Sequence, residues 1–350
     1  MKAWVLHGIN DIRYEEVQKP VLKRGEVLLK VMAAGICGSD IPRIFDTGAH
    51  KHPLIIGHEF SGVVVEIGAD VDRVWEQRHV GVFPLIPCRQ CEPCHNGQYE
   101  MCRHYDYLGS RCDGGFAEYV AVPVQNLIPL SEEISFEQAA MLEPMAVAVH
   151  AIRRGTDEFS MPKTAKIIVC GLGTIGLLVT MFLMEAGYRN LSVICNKEFQ
   201  KQKALELGIE EKNILIHSAV DVQECVEGVS LFFECVGKNE TISHSVKSVA
   251  PAGKIVWVGN PHSDILFDRN IYWKILRDQI TVMGTWNSSF TGKDSDDWHY
   301  VTKRLGEKRI RPQEFITHRL PLQELDKGFL IMRDKTQDYC KIMTIMDQFL

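Results

Sequence analysis

The 350-residue chain has no excess of positive charge, no long apolar run, no internal repeat and no low-complexity segment. Lys and Arg number 39 against 45 Asp and Glu, a net charge of −6 with histidine neutral. Without a basic stripe to track a phosphate backbone, a nucleic-acid partner is disfavoured. No uninterrupted apolar stretch reaches the ~20 residues needed to cross a bilayer, so no membrane partner is expected. The opening Met1-Lys2-Ala3-Trp4-Val5-Leu6-His7 lacks the basic start and extended apolar core of a secretion signal. A cytosolic protein is the expectation. The composition, 45% hydrophobic and 24% charged, is that of an ordinary globular chain. Its length suits two domains, each able to bury a core without disulfide staples.

Cysteine, by contrast, is abundant and odd in number, at eleven. In a reducing compartment clustered cysteines more often bind metal than form disulfides. Cys88, Cys91, Cys94 and Cys102 follow the pattern C-x-x-C-x-x-C-x7-C. Four thiolates so spaced can close a tetrahedron around one zinc ion, leaving no open position, so the site is read as structural. A ferredoxin-type cluster would usually place proline after the last cysteine, where this chain has Arg103. Cys170, Cys225, Cys235 and Cys340 lie in apolar surroundings and read as core filler.

The first ~150 residues carry short β-type runs broken by glycine, such as Val27–Val31 and Gly62–Gly68, fitting an antiparallel, barrel-like domain. From Lys166 the pattern changes to strand–helix–strand alternation. Ile167–Cys170, Leu191–Cys195, Ser230–Cys235 and Lys254–Gly259 read as buried strands, with helical stretches running to Glu185 and over Phe199–Leu207. That alternation predicts a parallel sheet with right-handed crossovers. It fades after about residue 290, and Cys340–Ile345 is the last strand-like segment.

Cys37 in Gly35-Ile36-Cys37-Gly38-Ser39-Asp40, His58 in Gly57-His58-Glu59 and Glu143 in Met141-Leu142-Glu143-Pro144 each have a bland reading singly. Together they offer one sulfur, one nitrogen and one oxygen, which suits a catalytic zinc with an open fourth position. Zinc there would lower the pKa of a substrate hydroxyl. Ser39 is placed to relay the released proton. Glu59 is either a neighbour of the ligands or an exchangeable ligand.

Gly171-Leu172-Gly173-Thr174-Ile175-Gly176 follows a predicted strand and opens a predicted helix. In that context G-x-G-x-x-G signals a dinucleotide site, with the pyrophosphate held at the helix N-terminus. The second strand should end in an acidic residue for the ribose of NAD. Cys195-Asn196-Lys197 stands there instead, and Glu198 comes late. A cation after small or polar residues suits the 2′-phosphate of NADP; NAD bound through Asn196 is the alternative.

Taken together, these residues resemble the zinc-containing medium-chain alcohol dehydrogenase family. Gly57-His58-Glu59-Phe60-Ser61-Gly62, with Gly68 and Val71 beyond, fits its zinc signature, and the resemblance spans essentially the whole chain. It implies an α/β protein: a Rossmann doubly wound parallel sheet plus a GroES-like β-rich catalytic domain. The boundaries expected are 1–152 for the catalytic lobe, 153–288 for the dinucleotide domain, and 289–350 returning to the first. Glu143 in Leu142-Glu143-Pro144 marks the polyol branch, alongside the sorbitol dehydrogenases. Closer still are the galactitol-1-phosphate 5-dehydrogenases, on the segments Cys37–Phe45, Gly48–His50, Tyr105–Arg111 and Asp113–Tyr119. The resemblance implies oxidation of galactitol 1-phosphate to tagatose 6-phosphate, two zinc ions per chain, NAD or NADP, and a homodimer or homotetramer. One departure besides the missing acidic residue is Gln77-Arg78, where the family has Gly-Asp; it should alter a turn and not the chemistry.

A sugar phosphate calls for cations, and arginine's fork suits phosphate. Arg43, His50, Lys51 and Arg111 are the candidates, with Trp286 and Asn287 as further residues that either contact substrate or pack. Other readings on the same scaffold are dehydrogenases of an unphosphorylated polyol, a ribitol or arabinitol phosphate, or threonine. A different class is a zincless reductase or a non-enzymatic cofactor-binding protein.

Overall fold

In the computed structural model the described residues are 1–216, 228–261 and 263–346; Cys225 lies outside them. The chain divides into two units, one of residues 1–143 and 289–350 and the other of residues 144–288. The return falls at 288/289. The first crossing falls at 143/144, ahead of the 152/153 read from the sequence. It lies inside a continuous helix, Leu142–Thr156, so no Gly- or Pro-rich break marks it in the sequence.

The second unit is built on a six-stranded, wholly parallel sheet. In chain order its strands are Ile167–Cys170, Leu191–Cys195, Ile214–Ile216, Val229–Glu234, Val249–Trp257 and Thr281–Gly284. Across the sheet they run third, second, first, fourth, fifth, sixth. This is the doubly wound nucleotide-binding order, in which the connection reverses beside the first strand. Ile167–Cys170 is buried at every residue, as expected of a strand covered on both faces. The helix that follows it, Thr174–Glu185, is buried from Gly176 to Leu183 on all sides, which explains why its sequence is apolar around the whole circumference.

The first unit carries a seven-stranded sheet. Leu127–Pro129, His79–Val82, Glu59–Ile67, Glu26–Gly35, Lys341–Ile345 and Ile316–Leu320 run in that order across it, and Tyr119–Pro123 pairs with Glu26–Gly35. A smaller sheet holds Asp11–Glu16, Lys2–Gly8 and Leu54–Ile55. Leu6, Val27, Leu29, Phe60, Phe116 and Phe329 belong to its core and are almost fully buried. The C-terminal strand adds to the N-terminal sheet, with Met343 opposite Gly35. Gly35 also lies opposite Glu59, so three strands distant in sequence converge there.

Two local readings change. Gln77 adopts φ +60°, the left-handed conformation that glycine takes most easily, so the turn keeps that shape without glycine. Of the cysteines read as filler, Cys170 and Cys340 are buried, whereas Cys235 is half-buried. Among the described residues no helix is long and apolar enough to cross a membrane.

Candidate active site

The four-cysteine loop folds as its spacing suggests. The short helix Glu92–His95 carries Cys94, and the turn Tyr99–Met101 presents Cys102. Cys91 Sγ lies 3.5 Å from Cys94 Sγ and 3.9 Å from Cys102 Sγ, and Cys88 Sγ is 4.0 Å from Cys94 Sγ. A tetrahedron with zinc–sulfur arms of ~2.3 Å has edges of about 3.8 Å, so the sulfurs fit one zinc ion. Hydrogen bonds from the backbone of Arg103 and Cys94 pull the Cys91 thiol down to about 6, which favours the thiolate a metal requires. Burial and the neighbouring thiols push Cys94 the other way, to about 12; thiols this close cannot all ionise without a cation between them.

A second cluster forms where the three strands converge. Cys37 follows the strand Glu26–Gly35, and His58 and Glu59 stand at the start of Glu59–Ile67. Their ligand atoms all lie within 4.8 Å of one another. Gly35 is needed here, because a Cβ on it would come within 2.4 Å of Glu59 Oε2. Lys341, buried in the C-terminal strand, donates to Glu59 Oε2 at 2.5 Å and to the Ile36 carbonyl at 3.0 Å.

Asp40 ties the ligands together. It is fully buried, and its Oδ2 accepts the Cys37 N–H at 3.0 Å. Its Oδ1 lies 2.5 Å from Arg43 Nη1 and 3.6 Å from His58 Nδ1. A carboxylate behind a ligating histidine is the arrangement that fixes ring orientation in metal sites. Burial raises the Asp40 carboxyl, but His58 and Arg43 beside it bring the net shift below the ordinary range. Burial also opposes an imidazolium at His58, yet Cys37 and Asp40 outweigh it and hold the pKa well above the usual histidine value.

Glu143 lies next to this set and outside the compact group of three. It is buried in the first turn of Leu142–Thr156 and accepts a hydrogen bond from Tyr107 Oη at 3.2 Å. Burial and the nearby Glu59 push its carboxyl up to about 7. The Tyr107 ring meets the His58 ring edge-on, 5.7 Å between centroids. Burial and Glu143 raise the phenol well above its usual range, so it stays protonated and donating. The donor set thus has a thiol, an imidazole and two carboxylates, all buried or half-buried. That chemistry fits a divalent zinc ion.

The remaining expected residues are scattered. Ser39 is half-buried and precedes the helix Asp40–Phe45 without making a side-chain cap, so its hydroxyl is not spent on the helix. Arg43 is turned onto Asp40. His50 and Lys51 are exposed. Arg111 stacks over Tyr105 at 4.5 Å, and Tyr105 lies 6.2 Å from Tyr107, so it connects to the metal cluster through two rings. Trp286 is 63% exposed and Asn287 adopts φ +59°. The sequence reading missed Asp40, Tyr107 and Lys341. Only Lys341 carried a usable signal, a charge set inside an otherwise apolar strand.

In the other unit the glycine loop meets each of its three demands. Gly171 has φ +92°, and a Cβ there would strike Val236 at 2.4 Å. A Cβ on Gly176 would lie 1.9 Å from the Gly171 carbonyl. Gly173, which caps the helix Thr174–Glu185, has nothing within 4 Å of such a Cβ, leaving room for a ligand at the N-terminus. These are the turn, packing and open-approach positions of a dinucleotide loop, with Thr174 and Ile175 in the first helical turn. At the end of Leu191–Cys195 the Cys195 side chain is buried, while Asn196 and Lys197 are exposed. No carboxylate ends that strand.

Residues 23–132 match the Alcohol dehydrogenase GroES-like domain and residues 174–307 match the Zinc-binding dehydrogenase family. A galactitol 1-phosphate 5-dehydrogenase of Escherichia coli K12 is 32% identical over 326 residues, covering 91% of this chain and 92% of the relative. An L-threonine 3-dehydrogenase of Bacillus licheniformis is 31% identical, covering 95% and 96%. The solved galactitol-1-phosphate dehydrogenase from Escherichia coli superposes with a TM-score of 0.88 at 30% identity, covering 99% and 100%. A zinc-binding dehydrogenase from Sinorhizobium meliloti 1021, solved bound to NADP, gives 0.88 at 25% identity, covering 98% of each chain. With both its domains matched and a relative 32% identical over 91% of its length, the chain belongs to the zinc-dependent medium-chain alcohol dehydrogenase family.

Proposed function

We propose that this dehydrogenase oxidises a secondary alcohol of a phosphorylated sugar alcohol, galactitol 1-phosphate being the first candidate, with NADP or NAD as hydride acceptor. The observation that carries it is the compact Cys37, His58 and Glu59 set in a chain 32% identical to a galactitol 1-phosphate 5-dehydrogenase. Tagatose 6-phosphate would be the product. Family membership favours a homodimer or homotetramer, and we place it in the cytosol.

Cys37, His58 and one of the two carboxylates, Glu59 or Glu143, would hold the ion. When bound, zinc supplies a Lewis acid that eases loss of a hydroxyl proton. The dinucleotide, when its pyrophosphate is bound at the glycine loop, supplies the nicotinamide as hydride acceptor. The chain's own part is to orient and to move the proton. Ser39, both donor and acceptor, would relay the hydroxyl proton toward solvent, accepting it as it gives up its own. Tyr107 holds Glu143, Lys341 holds Glu59, and Asp40 holds Cys37 and His58. Each carboxylate thus has a fixed donor, which limits reorganisation when charge develops. For the phosphate, Arg111 is the favoured partner, since stacking on Tyr105 holds its guanidinium plane. On the dinucleotide side, Lys197 beside Asn196 suits a 2′-phosphate and leans the reading to NADP.

Initial rates from nicotinamide absorbance, with galactitol 1-phosphate and galactitol side by side and each with NAD and NADP, test this. A rate confined to the phosphate ester is expected. A rate with free polyols alone would remove the phosphate site. A rate with threonine alone would move the chain to the second reading, which its 31% identity to a threonine dehydrogenase favours.

A further inference from the structure

We infer that Arg43 is a positioning residue of the metal centre and not a ligand of the substrate's phosphate. The inference rests on the zinc-centre reading above.

Its sequence position, six residues beyond Cys37, made Arg43 a natural phosphate candidate. The structure gives it another task. Nη1 lies 2.5 Å from Asp40 Oδ1, in a pair whose side chains are 16% and 0% exposed. An ion pair so sheltered keeps most of its strength, and removing one partner leaves a buried charge behind. Asp40 is no ordinary partner. One of its oxygens accepts the Cys37 N–H and the other faces His58 Nδ1 at 3.6 Å. Both non-carboxylate donors of the centre are therefore tied to one carboxylate, and Arg43 is the cation that balances it. Without Arg43, Asp40 stays buried beside Cys37 and His58 with its neighbouring guanidinium gone. It would then turn toward solvent and loosen its hold on Cys37 and His58.

The geometry also argues against sharing. Arg43 lies in the last turn of the short helix Asp40–Phe45, three residues from Asp40, so the pair closes locally. Reaching a substrate phosphate would break it and leave Asp40 buried and uncompensated. Arg111 is held differently, its guanidinium stacked over the Tyr105 ring at 4.5 Å.

The experiment compares wild type, Arg43→Gln and Arg43→Lys as full-length protein. Zinc release into a colorimetric chelator is followed in time, and kcat/KM is measured with galactitol 1-phosphate and with galactitol. Loss of a residue that orients a ligating histidine typically weakens metal binding about 10–100-fold. R43Q should therefore release one of its two zinc ions at least about tenfold faster than wild type. The other, in the four-cysteine loop, should leave at the wild-type rate and so report that the unit is folded. R43K, which keeps the charge without the fork, should fall between. The ratio of kcat/KM for ester over free polyol should stay within about twofold of wild type. In cobalt-substituted protein the visible band of the exchangeable centre should shift in R43Q. An unchanged release rate with a loss of activity confined to the phosphate ester would overturn the inference and return Arg43 to the substrate. Unchanged release and an unchanged ratio would overturn it as well. A wild-type protein holding only one zinc would instead strike the metal-centre reading itself.

Discussion

Replacing Lys341 by methionine asks whether the buried pair on the C-terminal strand holds the cluster together. Lys341 and Glu59 keep 3% and 2% of their side chains exposed, with 2.5 Å between Nζ and Oε2. Solvent screening, which reduces surface pairs to little, is small at that depth. Burial pulls the ammonium down, yet Glu59 and Cys37 beside it carry its pKa above the ordinary lysine value, so the lysine stays charged near neutrality. Methionine preserves the apolar stem and removes the charge. Glu59 then stays buried with its lysine partner gone, and the Ile36 carbonyl loses its donor. Stranding one partner of a buried pair costs on the order of 3–5 kcal/mol, a large share of a typical 5–15 kcal/mol stability. The double variant K341M/E59Q removes both charges, so it should be more stable than K341M alone and its cost should fall short of the sum of the single changes. The assay is urea unfolding followed by tryptophan fluorescence, since Trp4 and Trp298 are both buried in this unit. Free zinc must be held constant, because metal bound to the folded state adds its own stability. A K341M loss below about 1 kcal/mol, or single-variant costs that simply add, would refute the buried-pair reasoning.

The glycine loop gives a contrast within one motif. A Cβ at Gly173 meets no protein atom, so Gly173→Ala should leave the melting temperature unchanged while dinucleotide affinity drops about tenfold or more; normal affinity by fluorescence titration would contradict the loop assignment. Gly176→Ala, with its 1.9 Å overlap on Gly171, should lower both stability and affinity. Lys197→Ala should weaken NADP about 10–100-fold, the size of a charge-assisted hydrogen bond, with little change for NAD. Equal losses for both cofactors would count against a 2′-phosphate at Lys197. Burial holds the Cys170 thiol up at about 12, so in the native protein at pH 8 iodoacetamide should spare it and label it only after denaturation; fast native labelling, read by mass spectrometry, would contradict that burial.

What was legible in the sequence follows from range. Both cysteine spacing and the glycine loop are local patterns, and local patterns fix local geometry. The parallel sheet was legible because strands buried on both faces must be continuously apolar, as Ile167–Cys170 is. The carboxylate choice was less so. Glu59 enters the compact set because the strands of Gly35, Glu59 and Met343 are paired side by side, a register that no short window reveals. Asp40 and Tyr107 drew no role from the sequence, because the contacts that define them form only once distant segments meet. Arg43 shows the same limit, since its spacing from Cys37 suggested a substrate contact and only the fold reveals its pairing with Asp40. The crossing between the two units, at 143/144, lies within an unbroken helix, which no local pattern of the sequence marks.

The central claim is that this chain carries two zinc centres, one saturated by four sulfurs and one open. Metal content by plasma mass spectrometry, on wild type and on Cys37→Ser, tests it most directly. The account predicts two zinc ions per chain in wild type and one in C37S, with turnover lost and dinucleotide binding kept in the variant. One zinc in wild type, or C37S turning over near the wild-type rate, would contradict it.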